Sequence, residues 1–195
     1  MANQRSSVHG SLPGSLEPAK FAHQPSCLSY AEPVQSVRPA QESDVGHIHR
    51  LIVDLATYER SADQVKTTPE QLRTALFGPQ PAVYALVAEL DGDVVGFALY
   101  FRSFSTWEGV HGFYLEDLYV MPEHRGAGLG KALLSCLAAQ AVERGYARLE
   151  WAVLDWNQPS IEFYRSLGAV AMDEWTVYRV TGEPLLRLAR RTPAC

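Results

Sequence analysis

Hydrophobic residues fall into a regular spacing only from Val37 onward. From there the period switches between about 2 and about 3.6 residues. "SVRPA" reads as a short strand. Between Glu42 and Arg60, Val45, Ile48, Ile52, Leu55 and Ala56 recur at helical spacing, with Ser43 or Asp44 as the cap. Thr67-Thr68-Pro69-Glu70 sets a cap and then proline in the first turn, so a second helix starts at "QLRTALFG". "AVYALVAEL" and "DVVGFALYFRSF" are strands, and Asp91-Gly92 between them predicts a hairpin. "GFYLEDLYVM" is the next strand. The Ala- and Leu-rich stretch from Leu129 to Arg144 predicts a helix closed by Gly145. "RLEWAVLD" follows as a strand, and "PSIEFYRSL" as a helix whose closing Gly168 suits a left-handed cap. "WTVYRVT" is the final predicted strand. The order β-α-α-β-β-β-α-β-α-β predicts an α/β chain of the α+β type, neither a Rossmann alternation nor an all-β sandwich.

Residues 1–35 break the pattern. Ser, Pro and Gly recur there without periodicity, so the segment buries too little to offset its ordering entropy. A disordered tail is expected at 1–35 and a single domain at 36–190. A net charge of −5 with no basic block disfavours nucleic acid and anionic membranes as partners. Cys27, Cys136 and Cys195 are scattered and form no paired motif, which suits a reducing, cytoplasmic compartment. No apolar run is long enough for a membrane span. No charged stretch followed by an apolar one predicts a signal peptide.

The chemistry concentrates in "YLEDLYVMPEHRGAGLGKALL", Tyr114 to Leu134, where a strand gives way to a glycine-rich loop and then at once to a helix. A Walker loop would need Gly at Arg125 and Ser or Thr at Ala132, and a Rossmann fingerprint would need Gly at Lys131. What remains is Arg125-x-x-Gly128-x-Gly130. Its backbone N–H groups and the helix N-terminus can hold an anion, with Arg125 and Lys131 adding charge-assisted bonds. The loop alone leaves open a connector that binds nothing. A second motif lies downstream in "VLDWNQPSIEFYRSLGA", Val153 to Ala169.

Together these stretches resemble the GNAT acetyltransferases, whose coenzyme-A loop reads R/Q-x-x-G-x-G/A. "LATYE", "YLEDLYVM" and "WNQPSIEFY" are most similar to the diamine acetyltransferases, which include the spermidine/spermine and thialysine enzymes. The resemblance implies the GNAT fold: a mixed, mostly antiparallel sheet flanked by helices and splayed between its fourth and fifth strands. It implies acetyl-CoA as co-substrate, no metal, a small-molecule amine as acceptor, and a homodimer. By the same resemblance Arg125, Gly126, Ala127, Gly128, Leu129, Gly130 and Lys131 cradle the pyrophosphate. Leu118, Tyr119 and Val120 receive the acetyl carbonyl and pantetheine, and Asn157 and Ser160 bond the cofactor. Tyr58, Glu59, Glu116, Asp117 and Glu174 border the acceptor.

Acetyl transfer from a thioester requires an amine without its extra proton, although an alkylammonium has a pKa of about 10.4. It also requires donors for the developing oxyanion and a proton for the departing thiolate. Tyr164 is the candidate acid. Its spacing with Ile161 and Leu167 equally suits a core tyrosine, and the resemblance is what assigns the acid. Glu116 is the candidate base through a water. Asp117 lies on the opposite face by strand alternation, and one of the pair is free to bind the acceptor ammonium instead. Asn157 and Ser160 also read as a helix cap. His47 and His49 do not face each other on their helix, so a metal pair is not expected. The expected activity is N-acetylation of a short diamine, a polyamine or a lysine-like amino acid such as thialysine. Acetylation of a protein lysine, an N-terminus or an aminoglycoside is the alternative within the class. A non-catalytic CoA-binding sensor is the alternative outside it.

Overall fold

The computed structural model describes residues 35–190, so the expected tail lies outside the described residues apart from Gln35. Five strands form one sheet in the order β1-β2-β3-β4-β5. They are β1 (Gln35–Pro39), β2 (Tyr84–Leu90), β3 (Asp93–Ser105), β4 (Val110–Val120) and β5 (Leu149–Glu150). The first three pairings are antiparallel, and β4 with β5 is parallel. The predicted hairpin turn is present, with Asp91 and Gly92 both at positive φ, as a two-residue hairpin requires.

Strand alternation gives the sheet two apolar faces, and helices cover both. Leu86, Ala98, Phe113 and Leu115 pack against Leu129, Leu133, Leu134 and Leu137 of α3 (Leu129–Glu143), with Phe163 and Tyr164 of α4 (Gln158–Ser166) at the margin. Ala85, Val87, Phe97 and Leu99 pack against Val45, Ile48 and Leu51 of α1 (Val45–Tyr58) and Leu72 and Leu76 of α2 (Pro69–Phe77). Fully burying one such side chain contributes roughly 1.5–3 kcal/mol, so the two faces hold the layers together. At the sheet edge Arg38 bonds Asp44 at 2.6 Å and Glu89 at 2.7 Å, tying the entry of α1 to β1 and β2. Thr68 caps α2 as predicted: its Oγ1 accepts from the Gln71 N–H and Gln71 Oε1 accepts from the Thr68 N–H. Neither Ser43 nor Asp44 caps α1; the Asp44 carboxylate instead accepts from the Gln41 N–H at 2.7 Å.

Two features differ from the sequence reading, and both concern the C-terminal third. "RLEWAVLD" contributes only two residues to the ladder, Leu149 and Glu150, opposite Phe113 and Tyr114. Gly112 allows that approach, since a Cβ there would stand 2.9 Å from the Arg148 carbonyl oxygen. Past Tyr114 the β5-facing edge of β4 has no strand partner among the described residues, which is the expected splay. "WTVYRVT" forms no strand; it runs as exposed irregular chain into α5 (Gly182–Ala189), a helix the sequence reading did not contain. A strand needs an edge to pair with, and the segment meets none within the described chain. Trp175 and Tyr178 there are 66% and 91% exposed.

Candidate active site

The gap between the diverging strands is a cavity of about 840 Å³. The end of β4, the glycine loop, one side of α4 along its length and the C-terminus of α1 line it. Tyr58, Glu59, Glu116, Asp117, Leu118, Tyr119, Val120, Arg125, Gly126, Gly128, Leu129, Gly130, Lys131, Asn157, Ser160 and Tyr164 all lie on this wall. Ala127 and Glu174, singled out from the sequence, do not line it. Tyr114, His124, Phe163 and Arg179 line it without having been singled out. Tyr114 and Phe163 sat inside the quoted motifs and could have been found there. Arg179 carried no signal, because it belongs to the segment read as a strand.

The loop is shaped for an anion. Gly126 and Gly128 stand at φ +83° and +85°, where side-chain-bearing residues are strained, and no atom lies within 4 Å of where either Cβ would be. Gly128 precedes α3 and offers no side-chain cap, so the first-turn N–H groups are left for a bound group. These residues therefore fit a pyrophosphate. Arg125 is partly committed elsewhere: its Nε donates to the Val120 carbonyl at 2.9 Å, and its guanidinium lies over the rings of Tyr58 and Tyr119.

Tyr58 joins the glycine loop to the start of α4. It is the last residue of α1, and the chain turns sharply after it because Arg60 adopts φ +61°. Its hydroxyl donates to Asn157 Oδ1 at 3.0 Å, and its ring packs on Trp156. The same buried Oδ1 accepts from the Ser160 N–H, so Asn157 does cap α4. With Oδ1 occupied twice, the amide NH₂ of Asn157 is the group left for a ligand.

A β-bulge sets the acidic residues. Leu99 opposes Asp117 while Tyr100 opposes Leu115, so Glu116 is the extra residue on β4. The bulge re-aims the chain where alternation alone would have carried on, and both carboxylates line the cavity. Burial, followed by the charges of Glu116 and Glu59, pushes the Asp117 carboxyl up to about 6. Burial also raises Glu59. Tyr164 packs on Trp151 and Phe163; burial, then the Glu59 charge, pushes its hydroxyl up to about 12. It therefore remains a protonated donor throughout the neutral range. Among the described residues, no group of three or more His, Cys, Asp or Glu side chains could hold a metal ion. No helix there is long and apolar enough to cross a membrane.

Residues 46–169 match the Acetyltransferase (GNAT) family. The chain belongs to that family. It is 43% identical over 164 residues to the thialysine N-epsilon-acetyltransferase of Bos taurus, covering 78% of this chain and 96% of that one. It is 29% identical to the L-ornithine N5-acetyltransferase NATA1 of Arabidopsis thaliana, over 87% of this chain and 96% of that one. An integron cassette protein from the mobile metagenome of V. cholerae superposes with a TM-score of 0.68 at 26% identity, covering 80% of this chain and 98% of that one. The GNAT fold and the enzyme class, acetyl transfer to an amine, follow from these matches.

The raised Asp117 carboxyl has a sign that can be checked. Its unfolded value is about 3.9, so native protein binds the proton more tightly between about pH 4 and pH 6. Stability is lost as pH rises through that interval, and the penalty is complete above about pH 6. Asp117→Asn is expected to raise Tm by a few degrees at pH 7.5, with the gain gone at pH 4. Thermal melts at the two pH values measure it; an equal shift at both would mean the carboxyl is not perturbed.

Proposed function

We propose that the chain moves an acetyl group from acetyl-CoA to the terminal amine of a lysine-like amino acid or a short diamine. The observation that carries the reading is the shared cavity: the anion-shaped loop, the acidic residues Glu59, Glu116 and Asp117, and the Tyr164 hydroxyl all open onto it. Acetyl-CoA supplies the activated acyl group. Gly126 to Lys131 would hold its pyrophosphate, and the Asn157 amide would bond its pantetheine arm. The free edge of β4 at Leu118 to Val120 would orient the acyl carbonyl. Carboxylates facing the acceptor attract an ammonium, and Glu116, through a water, takes the proton that must leave before the nitrogen can attack. Tyr164 donates toward the departing sulfur. Glu59 stands near enough to Tyr164 to raise its pKa, so acceptor charge and acid share one electrostatic environment. Holding both reactants in one cleft supplies the orientation that a bimolecular reaction lacks.

The reading includes a homodimer, as the resemblance implies. What supports it is the exposure of Val170, Met172, Trp175, Val177, Tyr178, Leu185, Leu186 and Leu188, apolar side chains of the C-terminal segment. Sedimentation equilibrium of the full chain should give the dimer mass, and a monomer at micromolar concentration would remove this part of the reading.

A thiol-release assay across thialysine, L-ornithine, short diamines, equal-length monoamines, a lysine peptide and an aminoglycoside tests the acceptor. Thialysine or a diamine should exceed the monoamine in kcat/KM by roughly 10-fold or more, about 1.4 kcal/mol for a second held charge. Preferred turnover of the peptide or the aminoglycoside would replace the proposed acceptor. The Tyr164→Phe variant keeps the packing on Trp151 and loses only the hydroxyl. Its kcat is expected to fall by roughly 10²–10⁴ with little change in acetyl-CoA affinity. Near wild-type turnover would leave Tyr164 as a core residue.

A further inference from the structure

We propose that Arg179 binds the α-carboxylate of an amino-acid acceptor and so makes this cavity select an amino acid over the diamine of the same skeleton. The inference rests on the reading of the cavity as an amine-acetylating site. Its starting point is an imbalance of charge. Three acidic residues, Glu59, Glu116 and Asp117, line the acceptor end. A pocket meant only for polyamines would add nothing positive there, because every charge on a polyamine is positive. Yet Arg179 lines the same wall.

Arg179 and Glu116 act electrostatically on one neighbour. The Tyr114 hydroxyl feels the negative charges of Glu116 and Glu150 and, in the opposite sense, the charge of Arg179. Arg179 is an exposed residue that lines the cavity together with Tyr114 and Glu116. Other cations of the cavity lie elsewhere: Lys131 is in the first turn of α3, and Arg125 is bonded to the Val120 carbonyl and lies over Tyr58 and Tyr119. Among the described residues Arg179 has no ion pair or hydrogen bond, despite the acids nearby, so its fork of donors is uncommitted.

An uncommitted guanidinium among carboxylates suits a ligand carrying both signs. An α-amino acid with a terminal amine presents two ammonium groups and one carboxylate. Glu59, Glu116 and Asp117 attract the ammonium groups, and Arg179 matches the carboxylate in bidentate fashion. The matching diamine offers Arg179 nothing and places a positive charge near it. The 174–181 segment thus brings a cation to the site, where the sequence reading had placed Glu174.

Steady-state kinetics with matched pairs test this: L-ornithine against 1,4-diaminobutane, and L-lysine against 1,5-diaminopentane, for wild type, Arg179→Gln and Arg179→Lys. Arg179→Gln should lower kcat/KM for the amino acids by about 10- to 100-fold, the range of a hydrogen bond to a charged group. Its kcat/KM for the diamines should stay within about 2-fold or rise, and Arg179→Lys should fall between for the amino acids. The KM for acetyl-CoA should not move; if it rises in Arg179→Gln, the arginine serves a phosphate of the donor and the proposal fails. Equal losses on both members of a pair would make Arg179 structural and overturn it, as would unchanged amino-acid turnover. Wild-type enzyme that acetylates neither member of any pair would instead overturn the acceptor reading on which the inference rests.

Discussion

The site exists because β4 and β5 stop pairing after two residues. Parallel strands that continued together would satisfy each other's backbone groups and leave a closed sheet with no cavity. Here the ladder holds only at Phe113 with Leu149 and Tyr114 with Glu150, and then the strands part. Gly112 fixes the start of that divergence, because a side chain there would meet the Arg148 carbonyl and keep β5 away altogether. Beyond it, an open strand edge, the N-terminus of α3 and the first turns of α4 face one space. The strand edge and the α3 N-terminus are places where backbone polar groups lack an internal partner, and such groups are suited to hold a ligand. The apolar packing on both sheet faces keeps the gap from collapsing, since α3 and α4 are anchored to one face and α1 and α2 to the other.

Charges of both signs line the cavity. The positive helix terminus, Lys131 and Arg125 lie near the glycine loop, and the acids Glu59, Glu116 and Asp117 line the same cavity. Burial, and then the charges of Glu116 and Glu59, raise the Asp117 carboxyl, and the bulge at Glu116 brings two adjacent acids to one wall. A group held in such tension is stabilised when a cation arrives. The charges that the empty fold tolerates poorly are thus the ones best suited to a positively charged acceptor.

Where local chemistry decides the structure, the sequence was readable. Asp91-Gly92 forms its hairpin, Thr68 and Gln71 form their reciprocal cap, and Gly128 takes the left-handed turn that opens α3. Asn157 caps α4, one of the two roles open in the sequence, and its amide NH₂ is left over. Features that depend on distant partners were not readable. "RLEWAVLD" has strand composition, but how far it pairs depends on where β4 turns away. "WTVYRVT" has the alternation of a strand and no edge in the described chain to complete it. The bulge at Glu116 is invisible locally, because it is a mismatch in count between β3 and β4. Arg179 was missed for the same reason: its place on the cavity lining depends on where an unpaired segment passes.

Tyr58 shows how the end of α1, the glycine loop and α4 are tied together. A single aromatic side chain receives the Arg125 guanidinium on its face, packs on Trp156, and donates its hydroxyl to Asn157. Arg125 belongs to the loop suited to the pyrophosphate, Asn157 to the cap of the helix that carries Tyr164, and the next residue along is Glu59. A shift of α1 would therefore move the Glu59 carboxylate, loosen the cap of the helix bearing Tyr164, and release Arg125 together. Such contiguous contacts hold the end of α1, the glycine loop and α4 in register. It also explains why the chain accepts a non-glycine residue at positive φ immediately after the helix: the turn at Arg60 ends α1 where Tyr58 can reach across the gap.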